Sequence, residues 1–435
     1  MRRARALLLK AEARRGEKPD PLEPARKAAR AYDHTKVVAL LGGLNASALK
    51  PGQAEEAADL AWQSSYGGDE ADALAGPLVA RLAASADGKV PPNRVAEALF
   101  DSALALGRLG RSEDAITVYD EVVARFGQAP EPVLRELVAK ALYNKAWTLG
   151  QLGRSEDAIT VCGEVVARFG EATELGLRES VARALVNKGA TLGELGRTEE
   201  AITVFDQVVE RFGEATELGL REYVATALVN KGYRLGQLGR SEDAITVSDD
   251  VVARFGQAPE PALRETVAAA LENRAQLHLG LDRPEAASRD YLRVRDLPVV
   301  GSNAIARSRA RSLLAVALIP DLSGFASSQA GQPRDSATAL RAAFRLTWLA
   351  SHQDAVAAYG ALIADLDGDT PGSPWLAKAL ACKGYTLSQT GDFPGELAAY
   401  RQILARFGDT ADPEIRALVD AARQAVAEIE AIPPP

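Results

Sequence analysis

Arg-Ser-Glu-Asp-Ala-Ile-Thr-Val runs from Arg111 to Val118, and the same octapeptide begins again at Arg154 and at Arg240. A near copy, Arg-Thr-Glu-Glu-Ala-Ile-Thr-Val, begins at Arg197, so that successive copies start 43 residues apart. A fixed period of this length is typical of repeat proteins, in which each short unit buries its apolar face only by stacking on its neighbours. The repeated octapeptide therefore predicts a stack of similar units rather than one globular core.

Each unit has the pattern of two helices joined by a short turn. In one copy, apolar residues recur at helical spacing from Val181 to Leu192 and again from Ala201 to Phe212. Glycines interrupt the pattern between the two runs, and acidic residues open the second run, where the helix dipole favours them. Gly213 follows the second run and is the expected C-terminal cap, in the left-handed conformation that glycine favours. The sequence therefore predicts a helical hairpin in each unit.

The residues that the copies share resemble the signature of the tetratricopeptide repeat. Small residues at Gly189 and Ala201 would let two helices approach closely, and Phe205 would fill the space beside them. The 43-residue period exceeds the standard repeat of about 34 residues, which implies a long variant with a longer first helix and loop. The resemblance implies an all-α fold, a right-handed superhelical solenoid of stacked helical hairpins.

The repeat pattern divides the chain into four predicted segments. Residues 1–91 form an irregular helical segment with a basic start, and residues 92–296 form an array of about five 43-residue repeats. Residues 297–336 contain one helix and a loop rich in Ser, Gly and Pro, which is typical of a hinge or an insertion. Residues 337–435 resume the repeats and end in a capping helix.

Composition argues against several classes of protein. The net charge of −8 opposes general binding to nucleic acid or to an anionic membrane, since both surfaces are negatively charged. Cys162 and Cys382 are too far apart in a stacked array to form a disulfide, which favours a reducing, cytoplasmic setting. No apolar stretch is long enough for a membrane span or a secretory signal. The composition rich in Ala, Arg and Gly favours a bacterial source.

The beginning of the chain has a local excess of positive charge. Its first thirty residues carry ten basic and four acidic side chains, although the whole chain is acidic. Three interpretations are open: contact with nucleic acid, pairing with the acidic repeats of the same chain, and a solvated terminal helix.

Differences between otherwise similar copies indicate where a partner would bind. Ser180 of one copy becomes Tyr223 in the next, and Ala190 becomes Tyr233. The changed positions fall on one face of the first helix, and in tetratricopeptide repeat proteins this face lines the concave groove. The predicted groove face for a protein or peptide partner consists of Leu137, Lys140, Tyr143, Trp147, Gln151, Arg183, Glu194, Tyr223, Thr226, Tyr233 and Gln237.

Two interpretations of this face remain open. Its aromatic residues would form an exposed apolar patch, which is typical of a binding site, or they would add packing between helices. Its charged residues would contact the partner, or they face solvent and their residue type varies between copies without a functional reason. A neighbouring row of asparagines is interpreted as hydrogen-bonding between repeats. These asparagines are Asn144, Asn187, Asn230 and Asn273.

No arrangement of residues has the spacing of a catalytic or metal site. His34, His278 and His352 are isolated, and the chain has neither an HExxH motif nor a CxxC pair. We therefore predict no enzymatic activity, no metal and no cofactor.

Two hypotheses for function follow. The leading hypothesis is a non-enzymatic, cytoplasmic scaffold or adaptor for protein–protein interaction that holds a protein segment in its groove. The alternative is a regulatory or sensor subunit of a multi-protein system, acting with a separately encoded effector. The exposed ends of such a stack also offer surfaces for pairing into a homo-oligomer.

Overall fold

The structure is a computed structural model that describes residues 20–66, 68–298, 303–322, 335–348, 351–369 and 372–431. Within these residues every regular element is a helix and no strand occurs, which confirms the predicted all-α class. The basic stretch of residues 1–19 and the predicted loop at residues 331–333 lie outside the described residues, as do residues 432–435.

The helices form two compact units, a first unit of residues 1–195 and a second unit of residues 196–435. The helices of the first unit are α1 (Glu23–Arg30), α2 (His34–Gly42), α3 (Pro51–Gln63), α4 (Asp69–Ala84), α5 (Pro92–Arg108), α6 (Ser112–Phe126), α7 (Pro132–Gln151), α8 (Ser155–Phe169) and α9 (Leu175–Glu194). Two short 3-10 helices, Ala46–Ala48 and Ser64–Tyr66, flank α3.

The second unit continues the helical pattern to the end of the described chain. Its helices are α10 (Thr198–Phe212), α11 (Leu218–Gln237), α12 (Ser241–Phe255), α13 (Pro261–Gly280), α14 (Pro284–Arg295), α15 (Asn303–Leu322), α16 (Ser336–Trp348), α17 (His352–Asp369), α18 (Pro374–Gln389), α19 (Phe393–Phe407) and α20 (Pro413–Glu430).

Helical hairpins form where the sequence predicts them. In the first unit α5 packs on α6 and α7 packs on α8, and in the second unit α11 packs on α12 and α13 on α14. The turns within the hairpins depend on glycine, because Gly110 and Gly153 have φ values of 74° and 73°, in the left-handed region that disfavours side chains with a Cβ. The predicted left-handed cap at Gly213 is wrong, because its φ is −57° and the backbone there keeps the helical conformation. Each following helix opens with acidic residues, such as Glu113 and Asp114 in α6, which interact favourably with the helix dipole.

In the second unit, the C-terminal helix closes back on an earlier helix. Helix α15 packs on α13 and α14 in the manner of a further repeat, and α20 packs on both α19 and α15. Buried apolar residues from α13 to α20 form one continuous core, which includes Tyr291, Tyr359 and Tyr400. Helix α15 is therefore an integral part of this core.

A buried ion pair joins three helices of that core. The Arg311 guanidinium of α15 lies 2.9 Å from the Glu272 carboxylate of α13, and the two side chains are only 12% and 8% exposed. Arg311 also donates a hydrogen bond of 3.0 Å to Ser388 Oγ of α18. Arg311 thus links α13, α15 and α18 through charge-assisted hydrogen bonds, which are stronger than neutral ones.

Burial should make the protein sensitive to alkaline pH. It raises the pKa of the Cys162 thiol from 9.0, and the pKa values of the Tyr119 and Tyr385 hydroxyls from 10.0, each to about 12. The folded state therefore holds these protons more tightly than the unfolded state does. We expect the contribution of these three groups to the free energy of unfolding to be fully present below about pH 9 and to be lost as the pH rises to about 12.

Circular dichroism during alkaline titration would check this expectation. Tyr119→Phe removes one of the groups and should move the unfolding midpoint to higher pH. Tyr32→Phe alters a side chain that is 83% exposed and serves as the control. Equal midpoints for the two variants would contradict the assignment to buried groups.

Candidate partner-binding surface

The first unit exposes a tryptophan on the predicted groove face. Helix α7 begins at Pro132, whose missing N–H costs nothing at a first helical position. Along its predicted face Lys140, Trp147 and Gln151 are all exposed, and Trp147 is 55% exposed. A large apolar ring that remains this accessible in a folded repeat is a candidate contact for a partner.

Tyr143 and Arg183 form a contact between α7 and α9. The guanidinium carbon of Arg183 lies 4.8 Å from the centroid of the half-buried Tyr143 ring, a geometry typical of a cation–π interaction. Glu194 is exposed at the end of α9. Tyr143 and Arg183 thus support each other and restrict the number of conformations available at the surface near Trp147.

Leu137 differs from the other predicted residues of α7. It is only 9% exposed and packs with Ala96 of α5 and Leu134 of its own helix. Its position on the helical face is the one predicted, but the adjacent helix α5 covers it. Leu137 therefore contributes to packing between repeats rather than to an accessible surface.

In the second unit, all four predicted groove residues lie on α11 and are partly buried. The Thr226 hydroxyl donates to the Glu222 carbonyl of the same helix over 2.8 Å. The Arg234 guanidinium lies 5.4 Å from the centroid of the Tyr233 ring and donates to Gln237 Oε1 over 3.0 Å. Burial raises the pKa of the Tyr233 hydroxyl, although the charge of Arg234 and a hydrogen bond with the Gln237 side chain oppose the shift. These residues are Tyr223, Thr226, Tyr233 and Gln237.

A small pocket of about 20 Å³ lies between α11 and α13 in the second unit. Two of its residues, Tyr233 and Gln237, were predicted as groove residues from the sequence, and the other five were not assigned to the groove. The sequence could have indicated one of these five residues, because Gln276 lies 43 residues after Tyr233 and occupies the same position in the next repeat. The pocket is lined by Gly232, Tyr233, Gly236, Gln237, Asn273, Gln276 and Leu277.

The four asparagines at equivalent positions of the repeats do not form the predicted hydrogen bonds between repeats within the described residues. Asn144 Nδ2 donates to the Lys140 carbonyl of its own helix over 2.9 Å, so the interpretation is wrong at Asn144. The side chains of Asn187, Asn230 and Asn273 have no hydrogen bond to any of the residues that the structure describes. Asn273 also lines the pocket between α11 and α13.

Helix α13 also shows where the accessible face ends within the second unit. Glu272 and Gln276 occupy the positions that correspond to Tyr143 and Trp147. Glu272 is paired with Arg311, and Gln276 Nε2 donates to the hydroxyl of Tyr385. Helices α15 and α18 thus contact this face of α13 through Arg311 and Tyr385.

Among the described residues, no group of three or more His, Cys, Asp or Glu side chains is arranged to hold a metal ion. None of the described helices combines the length and the apolar character that crossing a bilayer requires.

Comparison with protein families agrees with the hairpin architecture. Two family models of the tetratricopeptide repeat match the chain, one at residues 100–173 and the other at residues 182–212. Residues 100–173 and 182–212 are therefore tetratricopeptide repeats, as the resemblance of the repeated units implied. No curated protein sequence matches this chain.

Several solved structures are similar to this chain at low identity. A tetratricopeptide repeat protein from Parabacteroides merdae is 13% identical, with a TM-score of 0.35 over 75% of this chain and 98% of that one. The apo form of the quorum sensor NprR from B. thuringiensis is also 13% identical, with a TM-score of 0.38 over 81% and 99% of the two chains. A Rap protein complexed with Competence and Sporulation Factor is 13% identical, with a TM-score of 0.37 over 93% and 98%. TM-scores this low carry no information about what this chain binds.

Proposed function

We propose that this protein is a non-enzymatic scaffold or adaptor that holds a segment of a partner protein on the groove face of its tetratricopeptide repeats. The observation that carries the proposal is Trp147, a tryptophan 55% exposed on the face where neighbouring copies differ most. The proposal includes a cytoplasmic setting in a bacterium, which the two free, buried cysteines support.

The surroundings of Trp147 support its role as an anchor for a partner. Lys140 lies on the same face, is exposed, and has no ion-pair partner among the residues that the structure describes. The Tyr143 ring and the Arg183 guanidinium beside it already hold each other in place, so that less conformational entropy would be lost on binding. Tryptophan, tyrosine and arginine are the residues that most often dominate the energy of protein interfaces.

The second unit supports the proposal independently. Tyr233 lines a small pocket together with Gln237, Asn273 and Gln276, whose side chains are uncharged and can form hydrogen bonds. Tyrosine is among the residues that most often contribute strongly to the energy of protein interfaces. Each unit thus has an aromatic residue on its own predicted groove face, Trp147 in the first unit and Tyr233 in the second.

Affinity capture from the source lysate tests the proposal. The wild-type chain and the Tyr143→Ala/Trp147→Ala/Tyr233→Ala variant would be immobilised separately, after nuclease treatment of the lysate. We expect a protein that the wild type retains and the variant loses, with equal helix content by circular dichroism. A set of retained proteins that is identical for both chains would overturn the groove assignment, and a wild type that retains nothing would overturn the scaffold proposal.

A further inference from the structure

We propose that the partner segment presents an arginine or lysine to Trp147, with its charge over the indole ring and paired with the carboxylate of Asp101. This inference rests on the proposed function, since it names the chemistry that the groove face of the first unit recognises. Three observations carry it: the uncovered ring of Trp147, the cations that cover other aromatic rings of the chain, and a carboxylate beside Trp147 that has no counter-charge.

The indole ring of Trp147 has no partner among the residues that the structure describes. The ring is 55% exposed, and no described aromatic or cationic side chain contacts it. The equivalent positions of the two helices that pack beside α7 carry Leu104 in α5 and Ala190 in α9. Neither neighbour brings a ring or a charge to Trp147, so the ring is available to a group from another molecule.

Other aromatic rings of the first unit are covered by the chain's own arginines. The guanidinium carbon of Arg94 lies 5.1 Å from the centroid of the Trp62 ring, and the same guanidinium pairs with Asp59, one helical turn before Trp62. Tyr143, on the same face as Trp147, is covered by an arginine in the same way. Tryptophan is the aromatic side chain that attracts a cation most strongly. At Trp147 the cation is missing, and a partner can supply it.

A carboxylate without a counter-charge lies beside Trp147. Asp101 occupies in α5 the position that Asn144 occupies in α7, one helical turn before Trp147. Because side chains lean toward the N-terminus of their helix, the Trp147 ring extends toward this level. Asp101 is half-buried and has no ion pair with any of the described cations. An aromatic ring with a carboxylate one turn before it thus repeats the arrangement that holds Arg94.

The surroundings of Asp101 favour an added positive charge. Burial raises the pKa of Asp101, and the nearby carboxylates of Asp72 and Glu97 raise it further, although Arg108 opposes the shift. The Arg108 guanidinium itself pairs with Asp69 over 2.6 Å. A cation from the partner would offset the repulsion between the carboxylates and stabilise the charged form of Asp101.

The cations of the groove face leave room for a further positive charge. Lys140 lies seven residues before Trp147, which is about 10 Å along the helix and close to the screening length in physiological salt. The Arg183 guanidinium already lies over the Tyr143 ring. The net charge of −8 also attracts a basic segment over longer distances. The charges of the chain therefore favour a cationic side chain at Trp147 over an acidic one.

A phage library of random dodecapeptides is the probe for this inference. The full-length wild type and the Trp147→Leu variant would each be used for selection, because leucine keeps an apolar contact but removes the ring that attracts a cation. Asp101→Asn removes the carboxylate. Its matched control is Glu194→Gln, because Glu194 is an exposed carboxylate without an ion pair among the described residues, on the opposite side of Trp147 in α9. Both amide variants change the net charge equally, so the comparison isolates the position of the charge.

We expect the wild type to select peptides with Arg or Lys at one fixed position, and Trp147→Leu to lose that preference. A synthetic peptide of the selected sequence should bind Trp147→Leu about tenfold more weakly, and its Arg→Gln form should lose about tenfold on the wild type but little on Trp147→Leu. Asp101→Asn should weaken the peptide about fivefold, and Glu194→Gln less than about twofold. Titration calorimetry would measure the affinities, and circular dichroism would check that each variant keeps its helix content.

The outcomes separate this inference from the function on which it rests. Peptides that bind the wild type and lose affinity with Trp147→Ala, but carry no preferred Arg or Lys, would overturn the cation assignment and leave the scaffold intact. An Arg→Gln loss of equal size on the wild type and on Trp147→Leu would do the same, since the cation would then bind elsewhere. Equal effects of Asp101→Asn and Glu194→Gln would overturn the pairing with Asp101. A wild type that selects no peptide would overturn both proposals.

Discussion

Replacing Arg311 by Met should destabilise the second unit by about 3–5 kcal/mol, because it leaves a buried carboxylate without its counter-charge. Glu272 is 8% exposed and would have to stay charged in the core or take up a proton there. The hydrogen bond from Arg311 to Ser388 of α18 would be lost as well. Urea unfolding followed by circular dichroism would measure the change in the free energy of unfolding.

Two further variants make the measurement specific. Arg240→Met removes an exposed ion pair with Asp243, whose side chains are 48% and 56% exposed, and should cost less than about 1 kcal/mol. The double variant Arg311→Met/Glu272→Leu removes both buried charges and should recover most of the stability. If Arg311→Met cost no more than Arg240→Met, the ion pair would not be the link between the helices of this core.

Trp147→Ala should weaken binding of the partner by about 30-fold, which corresponds to roughly 2 kcal/mol. The ring is 55% exposed in the free protein, so a partner would bury apolar area that the fold leaves in water. The same exposure predicts little change in thermal stability, since truncating the ring opens no cavity in the core. Titration calorimetry with the captured partner, or with a selected peptide, would measure the affinity.

Tyr32→Asn provides the comparison for this variant. Tyr32 is an aromatic residue of the first unit that is 83% exposed and lies outside the groove face. Its φ of 55° is in the left-handed region, which Asn tolerates. This variant should bind like the wild type. If both substitutions weakened binding equally, the effect would reflect general surface chemistry rather than an anchor at Trp147.

The sequence predicted part of the candidate site. The period of a helix determines which side chains share a side, so the sequence could place Trp147 on one face of α7, where it is exposed; that this face binds a partner stays a prediction. Leu137 shares that side but is buried by α5, and period alone does not show where a neighbouring helix lies. The pocket depends on Gly236 and Leu277 approaching from two helices, and no pattern within one helix indicates such an approach.

The sequence by itself determined the hairpins of this protein. The positions of the turns depend on residues close together in the chain, such as Gly110 and Gly153, and the second helices begin 43 residues apart at Ser112, Ser155, Thr198 and Ser241. Only the tertiary structure decided that α20 packs on α15 and that Arg311 pairs with Glu272. These contacts join residues far apart in the chain, and their energies depend on burial, which arises only when the helices have packed.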